Sequence, residues 1–134
     1  MIQSDIDICA RTAYGETRGE SYQGMKAVAH VMINRWRSNL GQFEKDDTLA
    51  TACLRHLQFS CWTKADPNFK AMEDVTFNDR KFRDAWRAVL EALDEYDFTQ
   101  GSLHYHTDNI KPSWTEGHRH VIAVGKHMFY NTIP

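Results

Sequence analysis

The strongest constraint on how this chain can fold is a change of hydrophobic period at Gly101. Upstream of it, apolar residues recur at helical spacing. Ile6, Cys9, Ala10 and Ala13 form one stripe, and Val28, Val31, Met32 and Trp36 form a second. In the third and clearest, Phe82, Trp86, Val89, Leu90 and Leu93 oppose Arg80, Lys81, Arg83, Arg87, Glu91 and Glu95. Downstream, Leu103, Tyr105 and Thr107 alternate with His104 and His106. Val121 to Val124 and His127 to Tyr130 read as two more short strands around a turn at Gly125-Lys126. Side chains return to one face after roughly 3.6 residues in a helix and two in a strand, so neither pattern suits the other element. The order predicts an α+β fold in a single domain, 1–134, with a helical N-terminal part and a small antiparallel sheet in the C-terminal part.

Local signals refine the elements. Ser4 with Asp7 fits a capping box for a first helix that ends near Tyr14-Gly15 or runs on through Glu16. The second helix spans Gln23 to about Arg37, with Asn34, Arg35 and Arg37 placed toward water. Thr48 to His56 reads as a short helix and Leu57 to Trp62 as a loop or short strand, with a break at Pro67. Asn78 or Asp79 caps the strongly amphipathic helix, and Asp108 to Gly117 forms a long loop.

Composition excludes several classes of function. A net charge of -2 over 134 residues provides no broad basic field for nucleic acid. No apolar run approaches the roughly 18 residues of a membrane span. The N-terminus lacks a basic stretch followed by an apolar one, so it does not read as a signal peptide. Three cysteines, Cys9, Cys53 and Cys61, with no CxxC argue against a disulfide framework and for buried thiols. The chain is expected to act as a monomer.

The densest chemical cluster is Ala10-Arg11-Thr12-Ala13-Tyr14-Gly15-Glu16-Thr17-Arg18-Gly19-Glu20. Glu16 and Glu20 stand four apart, which on a continuous helix is one face. Glycines beside a carboxylate let a bulky ligand approach the backbone. The cluster fits a general acid in a cleft; on spacing alone, a solvated charged helix end explains it better. His104, His106, His118 and His120 form two pairs, each with its members on one side of an extended segment, a pattern that can bind zinc but that core or loop histidines also produce. Phe59, Trp62, Tyr105, Trp114, Phe129 and Tyr130 lie outside the helical stripes and offer faces for sugar rings, although Phe129 and Tyr130 are expected in the core.

The cluster, continued through Gly24, Ala27-Val28-Ala29 and Asn34-Arg35, resembles the cell wall hydrolases related to spore cortex-lytic enzymes. Gln58-Phe59-Ser60, then Gly101 to His106, Trp114, and Ile122 to Tyr130 with Gly125, His127 and Phe129 resemble the same family in the same order. Thr17 departs from the family's alanine, and Cys61-Trp62 depart from the usual wall beside Gln-Phe-Ser. The resemblance implies a lysozyme-like or resuscitation-factor-like domain. It also implies cleavage of peptidoglycan between N-acetylmuramic acid and N-acetylglucosamine, usually as a lytic transglycosylase and without metal or organic cofactor. Glu16, after Tyr-Gly, becomes the catalytic acid. It starts protonated, which burial against apolar walls favours, and then as a carboxylate takes the proton of the sugar's C6 hydroxyl. Arg18, Phe59, Ser60, Tyr105 and Trp114 are the expected glycan contacts. Glu20 and Asp108 are the candidates for a second carboxylate, should the enzyme be a hydrolytic muramidase, and Glu20 is alternatively structural. The bare N-terminus makes a phage or phage-derived lysin the expected source, made in the cytoplasm and acting on the wall. A zinc amidase using the histidines and a non-catalytic glycan-binding module are the readings from other classes.

Overall fold

A computed structural model describes residues 3–38, 43, 47–55 and 62–133. Among these, five helices precede the sheet: α1 (Gln3–Glu16), α2 (Tyr22–Ser38), α3 (Leu49–Leu54), α4 (Phe69–Asp74) and α5 (Arg80–Asp94). Then come β1 (His104–Thr107), β2 (Ile122–Val124) and β3 (His127–Tyr130), with a 3-10 turn at Ser113–Thr115 in the loop after β1. The change of period at Gly101 thus falls at the boundary between helices and sheet. The sheet is antiparallel in the order β1-β3-β2, so the last strand is central. Tyr105 pairs with Phe129 and Thr107 with His127. These four share one face, and His104 and His106 share the other with Tyr130 and Met128.

The central element is α2, in which every residue from Gly24 to Ile33 is buried. A helix buried on all sides must find partners for its polar side chains, because an unpaired buried polar group costs more than a hydrogen bond returns. Its partners come from one stretch of chain, residues 91–103. Lys26 pairs with Glu95 at 2.7 Å, and His30 lies 3.4 Å from Asp97. Asn34 donates to Asp97 and to the Ser102 carbonyl, and Arg35 Nε donates to the Leu103 carbonyl at 2.7 Å. Arg35 is only 4% exposed, contrary to its expected position toward water. The helix needs this cation inside to hold the segment entering β1.

Asp79 caps α5, accepting from Phe82 N at 3.2 Å. The buried face of α5 is narrower than its sequence stripe. Phe82, Ala85, Ala88, Val89 and Ala92 are inside, whereas Leu90 is 48% exposed. Alanines make this contact because α5 packs against both α1 and α2 and has little room for larger groups. Ser4 lies inside α1, which already includes Gln3, and so is not its cap. Thr48 caps α3 through Thr51 N, and Asp5 of α1 accepts from Ala50 N.

The sequence did not announce α4. Six residues with one buried side chain, Met72, carry no readable period. Its C-terminal carbonyls are held from outside, by Arg11 Nη1 at 3.0 Å from Met72 O and Glu73 O and 2.9 Å from Val75 O. Cys9 and Cys53 are buried free thiols with both sulfurs directed at Met32 Sδ, and burial pushes the Cys9 thiol up.

Candidate active site

The site forms where α1 ends against the sheet. After Glu16 the chain turns: Thr17 N donates to Ala13 O at 3.1 Å, Glu20 N donates to Thr17 O at 2.9 Å, and Gly19 takes φ +83°. Only glycine adopts that conformation at little cost. The expected single helical face for Glu16 and Glu20 therefore does not exist, because the helix stops between them. Both nevertheless line one open cleft of about 350 Å³. Arg18 lines it from the same turn, Thr107, Asp108 and Asn109 from the end of β1, and Lys126 and His127 from the start of β3.

Glu16 is half-buried, and the Tyr105 hydroxyl donates to its Oε1 at 2.6 Å. The Tyr105 ring lies edge-on to His127 at 5.2 Å and against buried Phe129 at 5.5 Å. The hydroxyl is thus carried on a ring whose position is set by the central strand.

Glu20 is bound to the β2–β3 turn, its side chain only 11% exposed. Lys126 N donates to its Oε1 at 3.1 Å. His127 Nδ1 stands 3.2 Å from the same oxygen, within ion-pairing distance but outside hydrogen-bond alignment. Glycines flank this carboxylate on both sides. A Cβ on Gly125, which has φ +56°, would come within 2.2 Å of Glu20 Oε2, and one on Gly24 within 3.3 Å of Glu20 Cβ. Glycine inside α2 costs about 1 kcal/mol of helix propensity relative to alanine. That cost is offset by the room it leaves for Glu20.

The other expected site residues separate. Arg18 is exposed at the rim, its guanidinium 5.2 Å above the Tyr14 ring. Asp108 is exposed in the cleft wall, its backbone N donating to Lys126 O at 2.7 Å. Trp114 packs on His104, His106 and Tyr130, on the sheet face opposite Tyr105 and Glu16. Phe59 and Ser60 lie outside the described residues. Trp62 serves the core, donating to Thr12 Oγ1 at 2.7 Å. Lys126, Asn109 and Thr107 carry no signal in the sequence that marks them as site residues. The cross-strand pairing of Thr107 with His127, continued by Asp108 N donating to Lys126 O, places four of the cleft residues together, and the residue types give no hint of that register.

The histidines do not converge. His106 is bonded through its two nitrogens to Thr107 O and Tyr130 Oη, and His118 to Thr132 Oγ1. Burial, with Arg35 nearby, pushes His104 down to about 4. Among the described residues no three of His, Cys, Asp and Glu are grouped to hold a metal ion.

Comparison with known proteins places the chain. Residues 19–130 match the family model described as Cell Wall Hydrolase. The chain belongs to the cell wall hydrolase family. Spore cortex-lytic enzymes are similar to it in sequence. That of Oceanobacillus iheyensis is 31% identical over 132 residues, 95% of this chain and 41% of the relative. That of Bacillus subtilis is 31% identical over 127 residues, 94% of this chain and 37% of the relative. The chain therefore spans about two fifths of the length of these relatives. The catalytic domain of Bacillus cereus SleB is a structural neighbour with a TM-score of 0.76 at 27% identity, covering 98% of this chain and 92% of that one. The catalytic domain of the germination-specific lytic transglycosylase SleB from Bacillus anthracis gives a TM-score of 0.74 at 27% identity, covering 98% and 97%. The α+β architecture agrees with the fold of these two catalytic domains.

Proposed function

We propose that this chain cleaves the bond between N-acetylmuramic acid and N-acetylglucosamine in peptidoglycan as a lytic transglycosylase, with Glu16 as its acid and base. The observation that carries the reading is the hydrogen bond from Tyr105 to Glu16 in an open, strand-accessible cleft. Glu16 donates its proton to the glycosidic oxygen as the C1–O bond breaks through an oxocarbenium-like state. The muramic acid C6 hydroxyl then attacks C1, and the Glu16 carboxylate takes that hydroxyl's proton. The product is a 1,6-anhydro end. Tyr105 fixes the carboxyl rotamer and stabilises the ionised form between the two transfers. The structural likeness to a lytic transglycosylase catalytic domain supports the same outcome.

Glu20 fits a positioning role in this scheme, since Lys126 N, His127 and the two glycines hold its carboxylate against the β2–β3 turn. Asp108 supports a second reading. It is an exposed carboxylate in the same cleft and could activate water in a hydrolytic muramidase. Mass spectrometry of the digest separates the two, because anhydro ends report transglycosylation and reducing muramic ends report hydrolysis. Glu16→Gln should lower kcat by about 10²–10⁴; wild-type activity in that variant would remove Glu16 from the mechanism. Activity lost to a chelator and restored by zinc would favour an amidase instead. We read the working form as a monomer, which sedimentation with and without glycan tests.

A further inference from the structure

The cleft that holds Glu16 is not the largest hollow in the molecule. A groove of about 700 Å³ lies beyond Asp108, between the end of β1 and the loop after it. Asp108 lines both spaces, so the groove and the cleft adjoin at the end of edge strand β1 while facing opposite sides of the sheet. Its floor is the sheet face opposite Glu16, from His106, Met128 and Tyr130, and its rim is the loop from Ile110 to His118.

We propose that this groove receives the peptide stem of the peptidoglycan while the glycan lies in the Glu16 cleft. The proposal rests on the reading of that cleft as the glycan-cutting site. The lining decides the choice of occupant. A continuing glycan chain is mostly neutral and calls for exposed aromatic plates. Among the described residues its lining offers none: its aromatic, Tyr130, is 5% exposed, and Trp114 does not line it. It is furnished with charge of both signs instead, from Lys111, Asp108 and Glu116, all exposed, beside apolar Ile110 and Pro112. A short peptide bearing free carboxylates and, at its diamino residue, an ammonium meets such a surface group for group. The stem branches from the lactyl group of the muramic acid whose glycosidic bond is cut. A stem groove must therefore adjoin the catalytic cleft, as this one does at Asp108.

The test compares glycan strands carrying tetrapeptide stems with the same strands stripped of peptide by an amidase. Lys111→Glu should lower kcat/KM on stem-bearing strands by about fivefold, the scale of an exposed ion pair, and leave cleavage of stripped strands unchanged. Glu116→Lys reads the ammonium side in the same way. Thermal unfolding of each variant controls for folding. Equal loss on both substrates would overturn the proposal in favour of a glycan-binding groove. Equal retention on both would overturn it by showing the groove unoccupied. Cleavage of stripped strands by wild type, and its loss in Glu16→Gln, reports separately on the catalytic reading, so the two can fail independently.

Discussion

The Glu20 carboxylate fills the space that a side chain on Gly125 would need, 2.2 Å from the position of a Cβ there. This joins the turn after α1 to the turn between β2 and β3, and residues of both turns line the cleft. Gly125→Ala faces both that clash and a left-handed φ of +56°. Strain of this kind costs on the order of 1–3 kcal/mol, and urea unfolding should show a loss in that range. Combined with Glu20→Ala, the clash disappears while the φ strain stays. The double variant should therefore be about 1 kcal/mol more stable than the sum of the singles predicts. Additive losses would mean that the two residues are not coupled.

Tyr105→Phe isolates one hydrogen bond. The ring keeps its packing on His127 and Phe129, and the 2.6 Å contact to Glu16 is lost. A hydrogen bond to a charged group contributes about 1.5–3 kcal/mol. Turnover should thus fall about tenfold to a hundredfold with little change in Tm. A large drop in Tm with unaltered kcat would assign the hydroxyl to stability instead.

Arg35 links the buried helix to the strand that carries Tyr105. Arg35→Met keeps the stem but leaves the Leu103 carbonyl without its 2.7 Å donor, two residues before Tyr105. The expected cost is about 1–3 kcal/mol, read as a shift in the urea midpoint. Turnover should also fall at temperatures where the variant remains folded. Full turnover would separate the entry of β1 from the placing of Tyr105.

Stability should depend on pH through His104 and His30. Burial pushes both down, His104 to about 4 from an ordinary value near 6.5. Above about pH 6.5 these imidazoles are neutral in both states and contribute no slope. Between about 6.5 and 4 the unfolded chain binds the extra protons, so stability falls as pH falls. Thermal unfolding across this window should show that slope in wild type and a shallower one in His104→Gln, with the remainder from His30 and, toward the acid end, from Glu91 and Asp97, whose carboxyls are held below their ordinary values. An unchanged slope in the variant would refute the burial of His104 as its source.

Much of the fold could be read in advance because it is written locally. The cap at Asp79, the amphipathic stripes of α2 and α5, and the three strands arise from period and turn chemistry over a few residues. The hidden parts depend on distant partners. Arg11 terminates α4 from 61 residues away, and Arg35 is buried because Leu103 supplies an acceptor. In the site, Glu16 stood out in the sequence, but its i, i+4 partnership with Glu20 was misleading: the turn at Gly19 ends the helix and gives Glu20 a different neighbour. Trp114 stood out as an aromatic in a loop, yet the alternation of β1 puts its contacts on the far face from Tyr105.

By itself, then, the sequence determined that helices precede a small sheet, the boundary at Gly101 and Glu16 as the carboxylate to consider, since side-chain period and turn preference act between near neighbours. Only the tertiary structure decided which groups meet that carboxylate. Tyr105 lies 89 residues from Glu16, and Lys126 lies 106 from Glu20. Such contacts are fixed by the pairing register of β1 with β3 and by the packing of α2, which no local pattern encodes.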